Sequence, residues 1–223
     1  MSIELYNREA LRTAKRISNP GCYATNSQLL IAPLAQYLTP SNPPTVFGIS
    51  GYSGAGTKTG NVPKISPESL GGGVKPYALS DHIHEREASR HLSTLTSASF
   101  KLAFIPVVAP WFQGIISTAS IPLSQELRAS QVKALFEEKY KGETLIQLQN
   151  YVPEIPQISG QHGFKAGGFQ VHSEGKRAVV VVSLSFSPFK LVLMLFQGVL
   201  DNLLKGAATQ CLQVSLLPAS RDC

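Results

Sequence analysis

The spacing of apolar and polar residues predicts a chain in which short strands and helices alternate. Runs rich in β-branched and aromatic residues, bounded by Gly, Pro and Ser, indicate strands. We expect strands at residues 45–50, 100–108, 115–121 and 178–182, with a further strand near Val152. Apolar residues at helical spacing predict helices at residues 5–17, 23–38 (bent at Pro33), 84–91, 125–141 and 201–213. Because no regular strand–helix–strand order runs through the chain, an α+β domain is favoured over a doubly wound one.

Composition and charge exclude several classes of protein. The 223 residues are 43% apolar and 15% charged, which is typical of one large globular domain and not of a disordered chain. The net charge of +6 comes from scattered Lys and Arg, so we expect small anionic substrates and no nucleic-acid partner. The most apolar stretch, residues 178–200, contains Pro188 and Lys190, and the chain opens without a targeting signal. We therefore expect no membrane partner.

Cys22 is the first candidate for chemistry. It follows the turn Asn19-Pro20-Gly21 directly and opens a predicted helix. Unpaired N–H groups and the helix dipole at such a position stabilise a thiolate, which is what a nucleophilic cysteine requires. The alternative is a small buried thiol that only packs. Cys211 lies inside a predicted helix and Cys223 ends the chain, so we expect neither to react.

A second group, His82, His84 and Glu87, could supply acid–base chemistry. The two imidazoles lie two residues apart, and Glu87 follows His84 by three, which brings them together if a helix begins there. A metal site is disfavoured because no cysteine pair lies nearby, and we expect no metal. The remaining alternative is a solvated, charged helix start. If Cys22 is a thiolate, an imidazole that serves it as acid–base partner is as acceptable as this alternative.

Residues 51–56 form a glycine-rich loop directly after a predicted strand. The loop matches neither the dinucleotide fingerprint nor the P-loop, although Ser50, Ser53 and Lys58 add donors beside the glycine amides. It could hold an anion or the edge of a cofactor, or it could be an ordinary surface turn. The following residues 61–76 are rich in Pro and Gly and are expected to be irregular.

Four motifs occur in a fixed order and carry a family resemblance. They are residues 19–25 (Asn-Pro-Gly-Cys-Tyr-Ala-Thr), residues 50–56 (Ser-Gly-Tyr-Ser-Gly-Ala-Gly), the group His82-x-His84-x-x-Glu87, and residues 201–208 (Asp-Asn-Leu-Leu-Lys-Gly-Ala-Ala). In this order they resemble N-acetyl-γ-glutamyl-phosphate reductase. The resemblance is to the fungal type, in which the reductase is part of a mitochondrial arginine-biosynthesis polyprotein. It covers residues 4–182 and resumes at residues 198–213.

The resemblance implies a fold and a domain organisation. The family's catalytic domain is α+β, with a mixed, largely antiparallel sheet and helices on one face, like the C-terminal domain of glyceraldehyde-3-phosphate dehydrogenase. Residues 1–200 would form this catalytic and dimerisation domain. Residues 201–213 would be a closing helix that packs on a Rossmann domain, which the resemblance places before the cysteine motif and which this sequence does not contain. Residues 214–223 would be an aberrant tail.

The resemblance also implies a mechanism and its site residues. The Cys22 thiolate would attack an acyl phosphate, and the thioester would take a hydride from NADPH to give N-acetylglutamate semialdehyde. His82 and His84 would be the acid–base and orienting pair, with Glu87 positioning them. The nicotinamide edge would be lined by Ser50, Gly51, Ser53, Gly54 and Asn202. A homo-oligomer in the mitochondrial matrix is expected.

Residues 183–197 depart from the family. This apolar block interrupts a run that should pass from Val182 to Gly198, and we interpret it as a translated intron. A truncated chain of this kind is expected to lack reductase activity alone. Two other classes stay open, namely a cysteine-dependent hydrolase or acyltransferase and a non-catalytic oligomerising fragment.

Overall fold

A seven-stranded sheet organises the chain. The computed structural model describes residues 4–14, 18–39, 41–55, 65–96, 99–158 and 162–184. Its strands are β1 (Thr45–Gly51), β2 (Lys75–Pro76), β3 (Ala103–Ala109), β4 (Ile115–Pro122), β5 (Ile146–Leu148), β6 (Phe164–Val171) and β7 (Arg177–Leu184).

The strand order is β2-β3-β1-β4-β7-β6-β5. The pairs β1–β3 and β5–β6 are parallel, whereas β1–β4, β2–β3, β4–β7 and β6–β7 are antiparallel. The predicted α+β class with a mixed, largely antiparallel sheet is therefore confirmed.

Five α-helices accompany the sheet in the described ranges. They are α1 (Glu4–Thr13), α2 (Cys22–Ile31), α3 (Pro67–Leu70), α4 (Ile83–Leu92) and α5 (Ala129–Lys139). The predicted bend at Pro33 is confirmed, because α2 continues at this point as the 3-10 helix Ala32–Tyr37. Proline lacks the N–H that the next α-helical hydrogen bond would need. Two shorter 3-10 helices are Tyr52–Ala55 and Ile155–Gln157.

One face of the sheet carries the core. Val46 pairs with Phe104 and with Ala119, and Ala119 pairs with Val180, so these four residues share a face. All four are buried in one cluster with residues of α2, α4 and α5. The other face includes Phe47, which is 41% exposed. The helices that frame the site therefore pack on a single face of the sheet.

Helix α2 lies in the interior, and Tyr23 fixes it to the sheet. Every residue from Tyr23 to Ile31 is buried. The Tyr23 hydroxyl contacts the carbonyl oxygens of Gly48 (3.2 Å) and Val107 (3.0 Å), which lie on neighbouring parallel strands. A Cβ at position 48 would come within 2.5 Å of a Tyr23 ring carbon, so glycine is needed for this approach.

The region after α5 differs from the sequence prediction. A strand near Val152 is wrong, because residues 149–154 form an irregular loop. Strands β5 and β6 were not predicted. Gly167 and Gly168 weaken the strand signal of β6, yet they let the loop pack closely, since a Cβ on Gly168 would meet the side chain of Val152.

Residues 65–76, expected to be irregular, contain α3 and β2. The hydroxyl of Ser66 accepts from the N–H of Ser69, and Ser69 accepts from the N–H of Ser66, which forms a capping box for this short helix. The capping pattern Ser-Pro-Glu-Ser is readable in the sequence, but a helix this short has no apolar period to reveal it.

Most of the predictions for the end of the chain fall outside the described residues. Strand β7 extends through Ser183 and Leu184, so the first two residues of the 183–197 block continue a strand. The rest of that block, the expected helix 201–213 and the tail 214–223 lie outside the described residues. Among the described residues, no helix has the length and apolar character needed to cross a bilayer.

Replacing Tyr23 by Phe should destabilise the protein. The ring would remain, but two carbonyl contacts in the interior would lose their donor, at a cost of about 1–3 kcal/mol. The change in the free energy of unfolding is measured by urea denaturation. Tyr37→Phe is the control, because Tyr37 is partly exposed and outside this contact. Equal effects of the two substitutions would contradict the role given to Tyr23.

Candidate active site

Gly21 and Cys22 form the start of α2. Gly21 is the N-cap in an extended conformation (φ −67°, ψ 159°), and its carbonyl accepts the N–H of Thr25 at 2.8 Å. Cys22 is the first residue of the helix and is partly exposed. The predicted position of Cys22 at a helix N-terminus, directly after Pro20 and Gly21, is confirmed, although residues 18–21 form no turn and Gly21 is extended.

Two residues of α4 hold Gly21. Its N–H donates to Oε1 of Glu87 at 3.1 Å. Gly21 itself has no side chain that could cap the helix. The imidazole of His84 lies directly against the Cα of Gly21, and a Cβ at that position would overlap the His84 ring at Nε2. The backbone angles of Gly21 suit any residue, so space and not conformation requires glycine here. Residues from two distant segments thus meet beside Cys22.

The electrostatics at Cys22 differ from the expectation of a stabilised thiolate. Burial raises the pKa of the Cys22 thiol to about 11, although the N–H groups of Tyr23 and Cys22 act in the opposite direction. The negative charge of Glu87 adds to the increase in this pKa. The helix start lowers the pKa as expected, but desolvation outweighs it. A pKa of about 11 predicts a protonated thiol at neutral pH.

The two histidines have different hydrogen-bonding states. Their ring centroids lie 4.8 Å apart, and the backbone N–H of His84 donates to Nδ1 of His82 at 3.1 Å. His82 is thereby the N-cap of α4. Since Nδ1 is an acceptor, the neutral His82 ring carries its proton on Nε2. The basic nitrogen of His82 is consequently occupied by the helix cap.

The ring nitrogens of His84 cap none of the described helices. Burial, followed by the neighbouring His82, lowers the pKa of His84 to about 4, and burial lowers the pKa of His82 as well. Within the described part of the chain, no group pairs with the buried Nδ1 of His84. His84 is therefore a neutral imidazole at physiological pH, with its Nε2 edge beside Gly21.

Glu87 was expected to position the histidines, but its hydrogen bond is to the backbone of Gly21. Its carboxylate accepts from the N–H of Gly21 and makes no hydrogen bond to either imidazole. The reason is the helix: Glu87 lies on the buried side of α4 that faces the start of α2. What Glu87 positions directly is the backbone that carries Cys22.

Tyr77 belongs to the site and was missed by the sequence analysis. Its ring packs edge-to-face on His82, with centroids 5.8 Å apart. Burial raises the pKa of Tyr77 to about 12, and the Cys22 sulfur adds to this increase. An aromatic residue five positions before a histidine is a weak signal by itself. Only the bend of the chain between residues 77 and 82 brings the Tyr77 ring to His82.

The glycine loop that was assigned to the nicotinamide is engaged within the protein. The N–H groups of Gly51, Tyr52 and Ser53 donate to the carbonyl oxygens of Gly114, Trp111 and Phe112, respectively. The Ser53 hydroxyl also donates to Phe112, and the Ser50 hydroxyl donates to the carbonyl of Gly51 at 3.0 Å.

Close packing accounts for the glycines of this loop. A Cβ on Gly51 would come within 2.6 Å of the Phe112 carbonyl, and one on Gly54 within 2.7 Å of the Ser50 hydroxyl. The donors at residues 50–53 are therefore hydrogen-bonded within the protein, and their contact with the nicotinamide of NADPH stays a prediction. Asn202, the fifth residue assigned to this contact, lies outside the described residues. In the described ranges, no three His, Cys, Asp or Glu side chains are grouped as metal ligands.

Comparisons with known proteins bear on the family. Residues 22–185 match the family model of the semialdehyde dehydrogenase dimerisation domain. The chain is 46% identical to Protein arg11, mitochondrial, of Schizosaccharomyces pombe, over 94% of this chain and 21% of that protein. It is 44% identical to an N-acetyl-gamma-glutamyl-phosphate reductase of Xanthomonas euvesicatoria, over 89% of this chain and 55% of the relative. The chain thus spans about a fifth of the fungal relative and about half of the bacterial one.

A solved structure shares the fold at low sequence identity. Aspartate semialdehyde dehydrogenase II from Vibrio cholerae, solved in complex with ASA, matches with a TM-score of 0.68 and 17% identity, over all of this chain and 68% of that chain. Since the family model spans residues 22–185 and the fold is that of a semialdehyde dehydrogenase, this chain belongs to the semialdehyde dehydrogenase dimerisation-domain family.

Proposed function

We propose that this chain carries the acyl-transfer site of an N-acetyl-γ-glutamyl-phosphate reductase of arginine biosynthesis. The observation that carries the proposal is the junction at Gly21, where the neutral His84 imidazole packs against the residue that precedes the Cys22 thiol at a helix N-terminus. The name of the similar bacterial protein, N-acetyl-gamma-glutamyl-phosphate reductase, supports the substrate, an acyl phosphate. The fungal relatives are named mitochondrial, which supports the mitochondrial matrix as the location.

His84 is the general base of this proposal. Its Nε2 edge lies beside the residue that precedes Cys22, and its low pKa keeps it unprotonated. His82 has its basic nitrogen in the helix cap, so it can donate from Nε2 but cannot accept a proton without breaking the cap. The roles of the two histidines therefore separate, with His84 taking the proton and His82 orienting the substrate.

The chemical step is an addition followed by an elimination. The Cys22 sulfur attacks the acyl carbon while its proton passes to His84, and the carbonyl electron pair moves onto oxygen. Sulfur becomes far more acidic as its bond to carbon forms, so proton transfer coupled to attack does not require a preformed thiolate. The intermediate then collapses, the C–O bond to phosphate breaks, and phosphate leaves with that electron pair. The product is a Cys22 thioester.

Glu87 supports this step from the backbone. By accepting the N–H of Gly21, it fixes the peptide that leads into Cys22. Its charge also raises the pKa of the thiol, which disfavours an unproductive thiolate in the absence of substrate. We propose Glu87 as a positioning residue on these two grounds.

Reduction of the thioester requires a hydride donor, and the resemblance implies NADPH. When bound, this cofactor would supply the hydride that releases the aldehyde. The donors of residues 51–53 are hydrogen-bonded to the loop 111–114, and the Ser50 hydroxyl donates to the carbonyl of Gly51. We therefore derive no step through NADPH from the described residues.

A thioester that forms without a hydride donor also suits the alternative of a cysteine-dependent hydrolase or acyltransferase. The engaged glycine loop is the observation that favours it. The two functions differ in the fate of the thioester, which water or a second nucleophile would release in the alternative. Persistence of the thioester without NADPH favours the reductase.

A second copy of the chain is the proposed partner. The exposed sheet face places Phe47 beside Ile105 and Thr118, which gives an apolar surface suited to a homo-oligomer. The matching family model is that of a dimerisation domain, which supports this use of the sheet. A stable interface would have to bury about 1,000 Å² or more.

Incubation with acetyl phosphate should acetylate Cys22 specifically. The site lowers the barrier for acyl transfer at Cys22 alone, so peptide mass spectrometry should find an acetyl thioester there and not at Cys211 or Cys223. Cys22→Ser should abolish it. Preferential labelling of another cysteine, or none at all, would overturn the proposed function.

The two histidines can be separated with matched variants. Asn is a good N-cap, so His82→Asn keeps the helix start of α4. Because His84 takes the proton, His84→Asn should slow thioester formation by roughly 10²-fold or more. His82→Asn should have a much smaller effect. In the unsubstituted chain the rate should fall only as the pH drops towards about 4, where His84 becomes protonated. A larger loss in His82→Asn would reverse the assignment.

Phe47→Glu should disrupt the oligomer. A charge placed on the apolar sheet face would have to be desolvated in the interface, so the dissociation constant should rise by roughly 10-fold or more. Size-exclusion chromatography with light scattering measures the change. Val74→Glu is the control, because Val74 is 56% exposed in the loop before β2. A monomeric parent chain, or equal behaviour of both variants, would contradict the proposed interface.

A further inference from the structure

Tyr77 is held at the edge of the sheet with its ring against the histidine pair. Its N–H donates to the carbonyl of Pro106 at 3.1 Å, which ties the end of β2 to β3. Its ring meets the His82 ring edge-to-face at 5.8 Å, and His82 in turn lies 4.8 Å from His84. A continuous set of ring contacts therefore links Tyr77 to the imidazole beside Gly21.

The loop between Tyr77 and His82 is bent in an unusual way. Ala78 (φ +41°) and Asp81 (φ +57°) adopt the left-handed region, which side chains other than those of Gly, Asn and Asp rarely enter. They are the only such non-glycine residues in the described ranges. A strained conformation of this kind persists only where the surroundings enforce it, and it is concentrated at functional sites. The bend is what turns both rings into the same space.

Burial raises the pKa of Tyr77 to about 12, and the charge of a Cys22 thiolate would add to this increase. Tyr77 therefore remains a hydrogen-bond donor throughout the neutral range. In the described part of the chain no group is hydrogen-bonded to this hydroxyl. The neighbouring phenol of Tyr23, by contrast, is committed to Gly48 and Val107. The Tyr23 phenol is therefore structural, whereas the Tyr77 phenol beside His82 has an unused donor.

We propose that the Tyr77 hydroxyl donates a hydrogen bond to the acyl oxygen of the substrate as Cys22 attacks. This inference rests on the proposed acyl-transfer function and adds a catalytic residue to it. The S–C bond forms, the carbonyl electron pair moves to oxygen, and the phenolic proton shares the new charge without leaving Tyr77. The pair returns when the C–O bond to the leaving group breaks, so the hydroxyl is unchanged after the step.

The reaction with p-nitrophenyl acetate tests this role without a cofactor. Removing one oxyanion donor commonly lowers the rate about 10²–10³-fold, and for a partly exposed neutral phenol we expect roughly 10- to 100-fold. Tyr77→Phe should therefore slow the burst of p-nitrophenolate by that factor. Cys22→Ser gives the background, and Tyr151→Phe, which alters an exposed tyrosine, is the matched control.

Alkylation by iodoacetamide in the same samples separates an oxyanion role from a structural one. Displacement at a saturated carbon develops no oxyanion, so Tyr77→Phe should alkylate Cys22 within about 2-fold of the parent rate. Thermal unfolding shows whether the variant is folded. An equal fall in both rates, or no fall in acylation, would overturn the role of Tyr77. A parent chain that never acylates Cys22 would overturn the proposed function itself, and this inference with it.

Discussion

The contact of α4 with Gly21 is the constraint on which the rest of the site depends. A carboxylate from α4 takes the N–H of Gly21, and an imidazole from the same helix occupies the space where a side chain would be. The first contact fixes the peptide before Cys22, and the second places a base beside it. Both contacts require the N-terminal ends of α2 and α4 to lie side by side.

Hydrogen bonds to the sheet fix the positions of both helices. Helix α2 is buried from Tyr23 to Ile31, and the Tyr23 hydroxyl ties it to two parallel strands at once. Helix α4 is tied to one of these strands, β3, since the N–H of Phe104 donates to Glu85 at 2.9 Å. Each helix is thus held to β1 or β3 within a turn of its own start. This arrangement places nucleophile and base on a rigid support, although neither lies on a strand.

Much of the fold could be read from the sequence. Strands β1, β3, β4 and β7 and helix α5 have clear periods, and their existence was predicted. Strand β6 was missed because Gly167 and Gly168 are required by a loop that packs over it. Such a requirement is visible only in three dimensions.

Cys22 and the histidine pair could be picked out in the sequence, whereas Tyr77 and the electrostatics of the site could not. The Pro-Gly-Cys segment and the histidine pair stand out as motifs, and the structure brings them together. The sequence cannot reveal that burial raises the pKa of Cys22 to about 11. This pKa predicts a neutral thiol where a thiolate was expected. The partner of Glu87 and the approach of Tyr77 also depend on chain reversals that no local pattern records.

We propose that Cys22 stays a neutral thiol until neutral His84 removes its proton during attack. The most direct measurement is the ultraviolet absorbance of the thiolate as a function of pH, taken as the difference between the parent chain and Cys22→Ser. The account predicts no thiolate signal from about pH 5 to about pH 9, with ionisation only towards about pH 11. A step between about pH 5 and pH 8 would show a preformed thiolate and contradict the account.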